Sequence, residues 1–181
     1  MKVTTVILFS VLFILQAGCC YPVRYDGPYE GKVVDADTGQ PIEGVVVLGV
    51  WYKQIATAAG GVSSYYDASE TVTDKNGEFK IQGLGLKIFS NVYMNVLMFK
   101  AGYEYMGSFM WDSFKEDEIL KAKIRWEGEK VVVPLKQLTT DERKKHHPDK
   151  ELIPDKKQQL LIKELNKEYR ELSIPLYPLE D

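Results

Sequence analysis

The sequence predicts a mainly β protein: an antiparallel β-sandwich of about seven strands over residues 29–135, then a charged connector and one C-terminal amphipathic helix. Three observations carry this reading. Short runs rich in Val, Ile, Tyr and Trp recur between turn residues, as strands of a sandwich do. No helical repeat separates those runs. After Leu135 the texture changes abruptly, with ten Lys/Arg against ten Asp/Glu in residues 136–181.

Taken in order, YEGKVVDAD and GVVVLGVWYKQ are the first strand candidates. The interval 55–69, containing ATAAGGVSSYYDAS, is long for a hairpin loop, and long loops in compact domains tend to carry function. ETVTD and EFKIQ flank Asn76-Gly77, a corner of the kind that closes tight hairpins. VYMNVLMFK is apolar on both alternating faces and suits a central strand. AKIRWEGEKVVVPL forms a further hairpin with Gly128 at its bend. QLTTDERKKHHPDKELIPDKK then makes a solvated connector broken by Pro148 and Pro154. In QQLLIKELNKEYREL, residues Leu161, Ile162, Leu165, Tyr169 and Leu172 share one side at helical spacing. A helix over about 156–172 follows, its charged residues Lys163, Glu164, Lys167 and Glu168 on the remaining surface.

The N-terminus has its own signature. Lys2 precedes an apolar stretch from Val6 to Leu15, then Ala17, Gly18 and the pair Cys19-Cys20, the layout of a secretory signal peptide over 1–18. The apolar run is too short to span a bilayer core of ~30 Å. LQAGC resembles the lipobox of bacterial lipoproteins, with Gln16 where a leucine is usual. The resemblance implies lipidation of Cys19, with Cys20 as the alternative, and a tether over 19–28. Acyl chains contribute about 0.8 kcal/mol per buried CH₂, so several of them hold a protein on a membrane firmly. In the lipoprotein pattern an Asp after the lipidated cysteine favours the inner membrane, so with Cys20 there the resemblance implies the outer membrane, facing the periplasm; a soluble secreted or periplasmic protein is the alternative.

Gly31-Lys-Val33-Val-Asp35-Ala-Asp37-Thr38-Gly39-Gln-Pro41-Ile42-Glu-Gly44-Val45-Val-Val47 resembles the opening of carboxypeptidase regulatory-like domains. Thr71-Val-Thr73-Asp74-Lys-Asn76-Gly77-Glu-Phe79-Lys-Ile81 is similar to their second signature, and Phe99-Lys-Ala-Gly102-Tyr103 to a third element. Gly83 to Asn91 departs from the family's short turn, which points to a remodelled sheet edge. The resemblance implies a transthyretin-like, broadly immunoglobulin-like sandwich. Such domains are typically non-catalytic accessories of peptidases, outer-membrane barrels or envelope lipoproteins.

Residue chemistry adds little to that. The net charge of −3 lacks the concentrated basic face that nucleic acid requires. From Asp35, calcium-loop spacing fails at the fifth and sixth positions, Gly39 and Gln40, leaving only an unconventional site from Asp35, Asp37 and Asp74. His146 and His147 are adjacent in the charged connector and are expected to be solvated; no cofactor and no catalytic set is identified. Trp51, Trp111, Trp126 and eleven tyrosines leave one lead, a stacking face with Tyr65, Tyr66, Tyr105 and Trp111 as its ligand-binding candidates, joined by Tyr103 and Phe109. The function expected is therefore a non-enzymatic envelope lipoprotein whose sandwich serves as a structural or protein-interaction module with an envelope protein partner. The alternative is a glycan or small-ligand binder using the 55–69 loop and exposed aromatics.

Overall fold

The computed structural model describes residues 23–57, 60–88 and 90–178. The signal segment and Cys19 lie outside the described residues. Among the described residues there are ten strands: β1 (Val23–Asp26), β2 (Tyr29–Asp35), β3 (Val46–Thr57), β4 (Gly60–Val72), β5 (Glu78–Ile81), β6 (Gly85–Ile88), β7 (Val92–Phe99), β8 (Met106–Met110), β9 (Arg125–Glu127) and β10 (Lys130–Leu135). Helices α1 (Ser113–Glu116) and α2 (Glu118–Lys123) separate β8 from β9. After β10 come α3 (Thr140–Lys145), a 3₁₀ turn (Asp155–Lys157) and α4 (Gln159–Leu172).

The strands form two four-stranded sheets, β5-β2-β10-β9 and β4-β3-β7-β8, and a separate β1-β6 ribbon. Val33, Phe79, Val131 and Val133 from the first sheet share one core cluster with Val47, Trp51, Val96 and Met98 from the second. β7 lies between β3 and β8, as its two apolar faces predict. On the far side of β3 and β7, Leu48, Val50, Leu97 and Phe99 meet Ile153, Leu161, Leu165 and Tyr169 in a second cluster. Helix α4 therefore covers the outer face of this sheet, and that is why β3 reads as an unbroken apolar run.

Several expectations are corrected. The strands are not all antiparallel: β2 and β10 pair in parallel, with Val33 opposite Val133. A parallel pair needs a long crossover, and here everything between the two strands, including the whole second sheet, supplies it. The Asn76-Gly77 corner closes no hairpin, because β4 belongs to one sheet and β5 pairs with β2 in the other. The chain crosses between sheets there. Gly77 fits because its φ is +73° and a Cβ would stand 2.4 Å from the Val33 carbonyl oxygen.

The long loop over 55–69 is instead two strand arms, with Ile55 opposite Val62 and Trp51 opposite Asp67. Its arms run beyond the core, so no in-out alternation marks them. The tether ends earlier than expected, since Val23–Asp26 is a strand. The remodelled edge after Ile81 is β6, which leaves the main sheets to pair with β1. Helices α1 and α2 carry no readable period because they are four and six residues long. Asp117 starts α2 by accepting from the Ile119 and Leu120 amides at 2.8 and 3.0 Å, and Phe114 and Leu120 are buried in the core. The connector holds α3, opened by a reciprocal Thr139–Glu142 capping box.

Candidate functional site

The two signature turns meet in space. Asp35 Oδ1 accepts from the Thr38 amide and hydroxyl, both at 2.8 Å, which holds its carboxyl below the usual range. Asp74 Oδ1 accepts from the Asn76 and Glu78 amides at 2.8 and 2.9 Å. Buried Thr73 links the turns: its hydroxyl donates to the Ile42 carbonyl at 2.7 Å and accepts from the Val45 amide at 2.9 Å. The aspartates thus fasten their own turns. Among the described residues no three His, Cys, Asp or Glu side chains converge as a metal site would need, so Asp35, Asp37 and Asp74 are not brought together.

The four aromatic candidates do not share a face. Tyr65 and Tyr105 pack against the outer cluster beneath the tail. Burial pushes the Tyr105 hydroxyl up to about 12 and raises that of Tyr65. Tyr66 is exposed elsewhere on β4, with Lys87 Nζ 5.2 Å from its ring centre. Trp111 is buried at one end of the inter-sheet core.

Around Trp111 the structure assembles a site that the sequence did not mark. Tyr29 and Trp126 stand edge-on to the Trp111 ring at 5.1 and 6.3 Å, and Lys115 Nζ lies 4.7 Å from the Trp126 ring centre. These rings, with Arg24, Asp112 and Glu129, line a cleft of about 560 Å³, within the usual range for small-ligand sites. Its floor is fixed by Asp26, which is 2 % exposed. That carboxylate accepts from Trp51 Nε1 at 2.9 Å, the Tyr29 hydroxyl at 2.7 Å, the Leu84 amide at 2.9 Å and Arg24 Nη2 at 3.1 Å. Burial, and then the Asp26 contact, push the Tyr29 hydroxyl far above its ordinary value. Tyr29 is therefore a neutral donor, locked in place. Of this group only Trp111 was among the ligand-binding candidates; Tyr29 and Trp126 come from strands about a hundred residues apart.

His146 and His147 are both exposed. His146 borders a cavity of about 480 Å³ with Glu104 and Glu142. Both carboxylates are engaged elsewhere. Glu142 accepts from the Thr139 amide and hydroxyl and from Lys136, while Glu104 pairs with Lys123 at 3.3 Å. The arrangement offers no free carboxylate to pair with the imidazole.

The tail is held to the second sheet by a polar clamp as well as by its apolar face. Glu168, placed by its spacing on the solvent side of the helix, is in fact 2 % exposed. It takes a two-pronged contact from Arg143 of α3, Nε at 2.7 Å and Nη2 at 2.6 Å, and accepts from the Gly102 amide at 2.8 Å. Glu164 accepts from the Ala101 amide, and Glu70 of β4 accepts from the Leu160 and Leu161 amides at the start of α4. The first turn of α4 has no local side-chain cap, so a carboxylate from the sheet supplies it. Compared with known proteins, the chain matches no family model, no curated protein and no solved structure.

Proposed function

We propose that this chain is a non-enzymatic, lipid-anchored cell-envelope protein whose transthyretin-like β-sandwich acts as a protein-interaction module. Two features support the fold type. The inward faces of both sheets share one core, and the two turns that resemble carboxypeptidase regulatory-like domains meet at Thr73. The observation that carries the function is the β3–β4 hairpin. β7 begins at Val92, opposite Lys53; just past it the Gln54 amide still donates to the Asn91 carbonyl at 2.9 Å and the Tyr93 hydroxyl to Ser63 Oγ at 2.9 Å, and beyond that residues 55–57 and 60–62 have strand partners only in each other among the described residues. Their faces are in solvent, with Ile55 and Val62 exposed side by side. A hairpin extended past its core adds little to folding and presents an open edge that another chain can use.

The test is a photoreactive phenylalanine analogue at Val62 in intact envelopes, with the same analogue at Lys75 as control. One discrete protein adduct, present at Val62, absent at Lys75 and lost on adding Ile55→Asp, is the expected result. Equal labelling at both positions would refute the hairpin as the contact.

The aromatic cleft favours a second reading, in which the protein binds a glycan or a small polar ligand. Three rings beside opposed charges suit a sugar ring, with its apolar face and hydroxyl rim. Titration with a β-1,4-linked N-acetylhexosamine oligosaccharide should then change tryptophan fluorescence saturably and stop doing so in Trp126→Ala. No change up to millimolar sugar would remove this reading.

A further inference from the structure

The β1–β6 ribbon is built inside out. In most surface strands the polar residues face water; here Arg24, Asp26 and Lys87 turn toward the protein, and the apolar residues turn away. Val23 is 56 % exposed, Tyr25 70 %, Leu86 62 % and Ile88 60 %. Val23 lies directly opposite Ile88 and Tyr25 directly opposite Leu86, so the four make one continuous apolar face. This orientation is fixed from beneath. Arg24 donates to the Val92 carbonyl at 2.5 Å and to Asp26, and Asp26 holds the Trp51 indole and the Leu84 amide. Rotating the ribbon would break all of these contacts, so the outward apolar face is a fixed property of the fold.

We propose that this face rests in the interfacial region of a phospholipid bilayer, as a second membrane contact beside the N-terminal anchor. The inference depends on the reading that the N-terminal segment is lipid-anchored. Its second support is the chain's reach. Cys20, Tyr21 and Pro22 alone separate Cys19 from Val23. At about 3.3–3.6 Å per residue, four steps hold Val23 within about 14 Å of an acylated Cys19, and closer to Cys20. That reach keeps the ribbon beside the headgroups, which add about 5–7 Å on each side of the hydrocarbon core, so its face can rest among them. Tyr25 suits the location, since tyrosine rings collect where one edge is apolar and the other wet. Exposed aliphatic residues on a fixed face beside a lipid anchor give the two-signal attachment that makes membrane binding persistent. The ribbon would also orient the body, turning one end of the two sheets toward the membrane.

The experiment uses the full chain in membranes, with the photoreactive phenylalanine analogue placed in turn at Leu86, Lys87, Ile88 and Lys75. After irradiation the membrane fraction is analysed by mass spectrometry for covalent phospholipid. Lipid adducts at Leu86 and Ile88 about ten-fold above those at Lys87 and Lys75 are expected, the alternation matching the ribbon's two faces. A chain found in the soluble fraction would overturn the anchor and this inference with it. A membrane-bound chain with no lipid adduct at Leu86 or Ile88 would overturn the ribbon contact alone. Adducts there to protein instead of lipid would reassign the face to a protein partner and also overturn it.

Discussion

Arg143→Met should separate a tail that is part of the folded body from one that merely lies on it. Arg143 and Glu168 have side chains 11 % and 3 % exposed, and the guanidinium makes two contacts to Glu168 and one to Glu171. Those carboxylates, Glu168 first, raise the arginine above its already high range. Without the guanidinium, the buried Glu168 carboxylate keeps only the Gly102 amide among its described partners. Breaking a buried pair from one side costs about 3–5 kcal/mol. The retained amide and the partial access at Arg143 place this case near the lower end, about 3 kcal/mol. For a chain of this size that lowers the melting temperature by about 6–12 °C. Arg143→Met combined with Glu168→Met removes both charges and should return to within about 1.5 kcal/mol of the parent. Urea unfolding at neutral pH, with unchanged slope, is the assay. A loss below about 1 kcal/mol, the value of an exposed pair, would refute the buried clamp. So would a double variant as unstable as the sum of its parts.

Leu165 is fully buried between α4 and the outer face of β3 and β7, so Leu165→Ala should cost about 3 kcal/mol by the same urea assay. A cost under about 1 kcal/mol would mean that the helix is not docked. Gly83→Ala would place a Cβ 1.9 Å from the Asp26 carbonyl oxygen. A loss above about 2 kcal/mol is expected, with a changed near-ultraviolet signal from Trp51, whose indole Asp26 holds. Glu142 is lowered to about 2, chiefly by the Thr139 amide and hydroxyl and then by Lys136. Because the folded value lies below the unfolded one, its contribution is present above about 4.5 and fades as pH falls through about 2. Its carboxyl NMR signal should titrate accordingly, with Thr139→Ala moving the midpoint upward; a midpoint near 4.5 in the parent would contradict the capping box.

Features whose cause is local were legible in the sequence. The Asp35 and Asp74 turns, the β9–β10 hairpin about Gly128 and the apolar stripe of α4 each depend on residues within a few positions. What escaped depends on distant partners. The parallel pairing of β2 with β10 is set by nearly a hundred residues of intervening chain. β1 escaped as part of the tether because it is only four residues long and its polar residues bond to distant Trp51, Leu84 and Val92. Glu168 looked solvated because its arginine lies 25 residues away, on a helix whose capping box was read as part of a charged connector. The aromatic site shows the same limit. Trp111 stood out as a residue type, but its neighbours Tyr29 and Trp126 become a site only when the two sheets close over one core.

The envelope address and the ribbon's membrane contact both rest on one covalent proposal, lipidation of the N-terminal cysteine. Mass spectrometry of the mature protein from native membranes tests it directly. The expected result is a chain beginning at Cys19 with acyl chains on its thiol and amino group, or at Cys20 in the same form. A chain starting elsewhere, or one whose two cysteines are both unmodified, would contradict it.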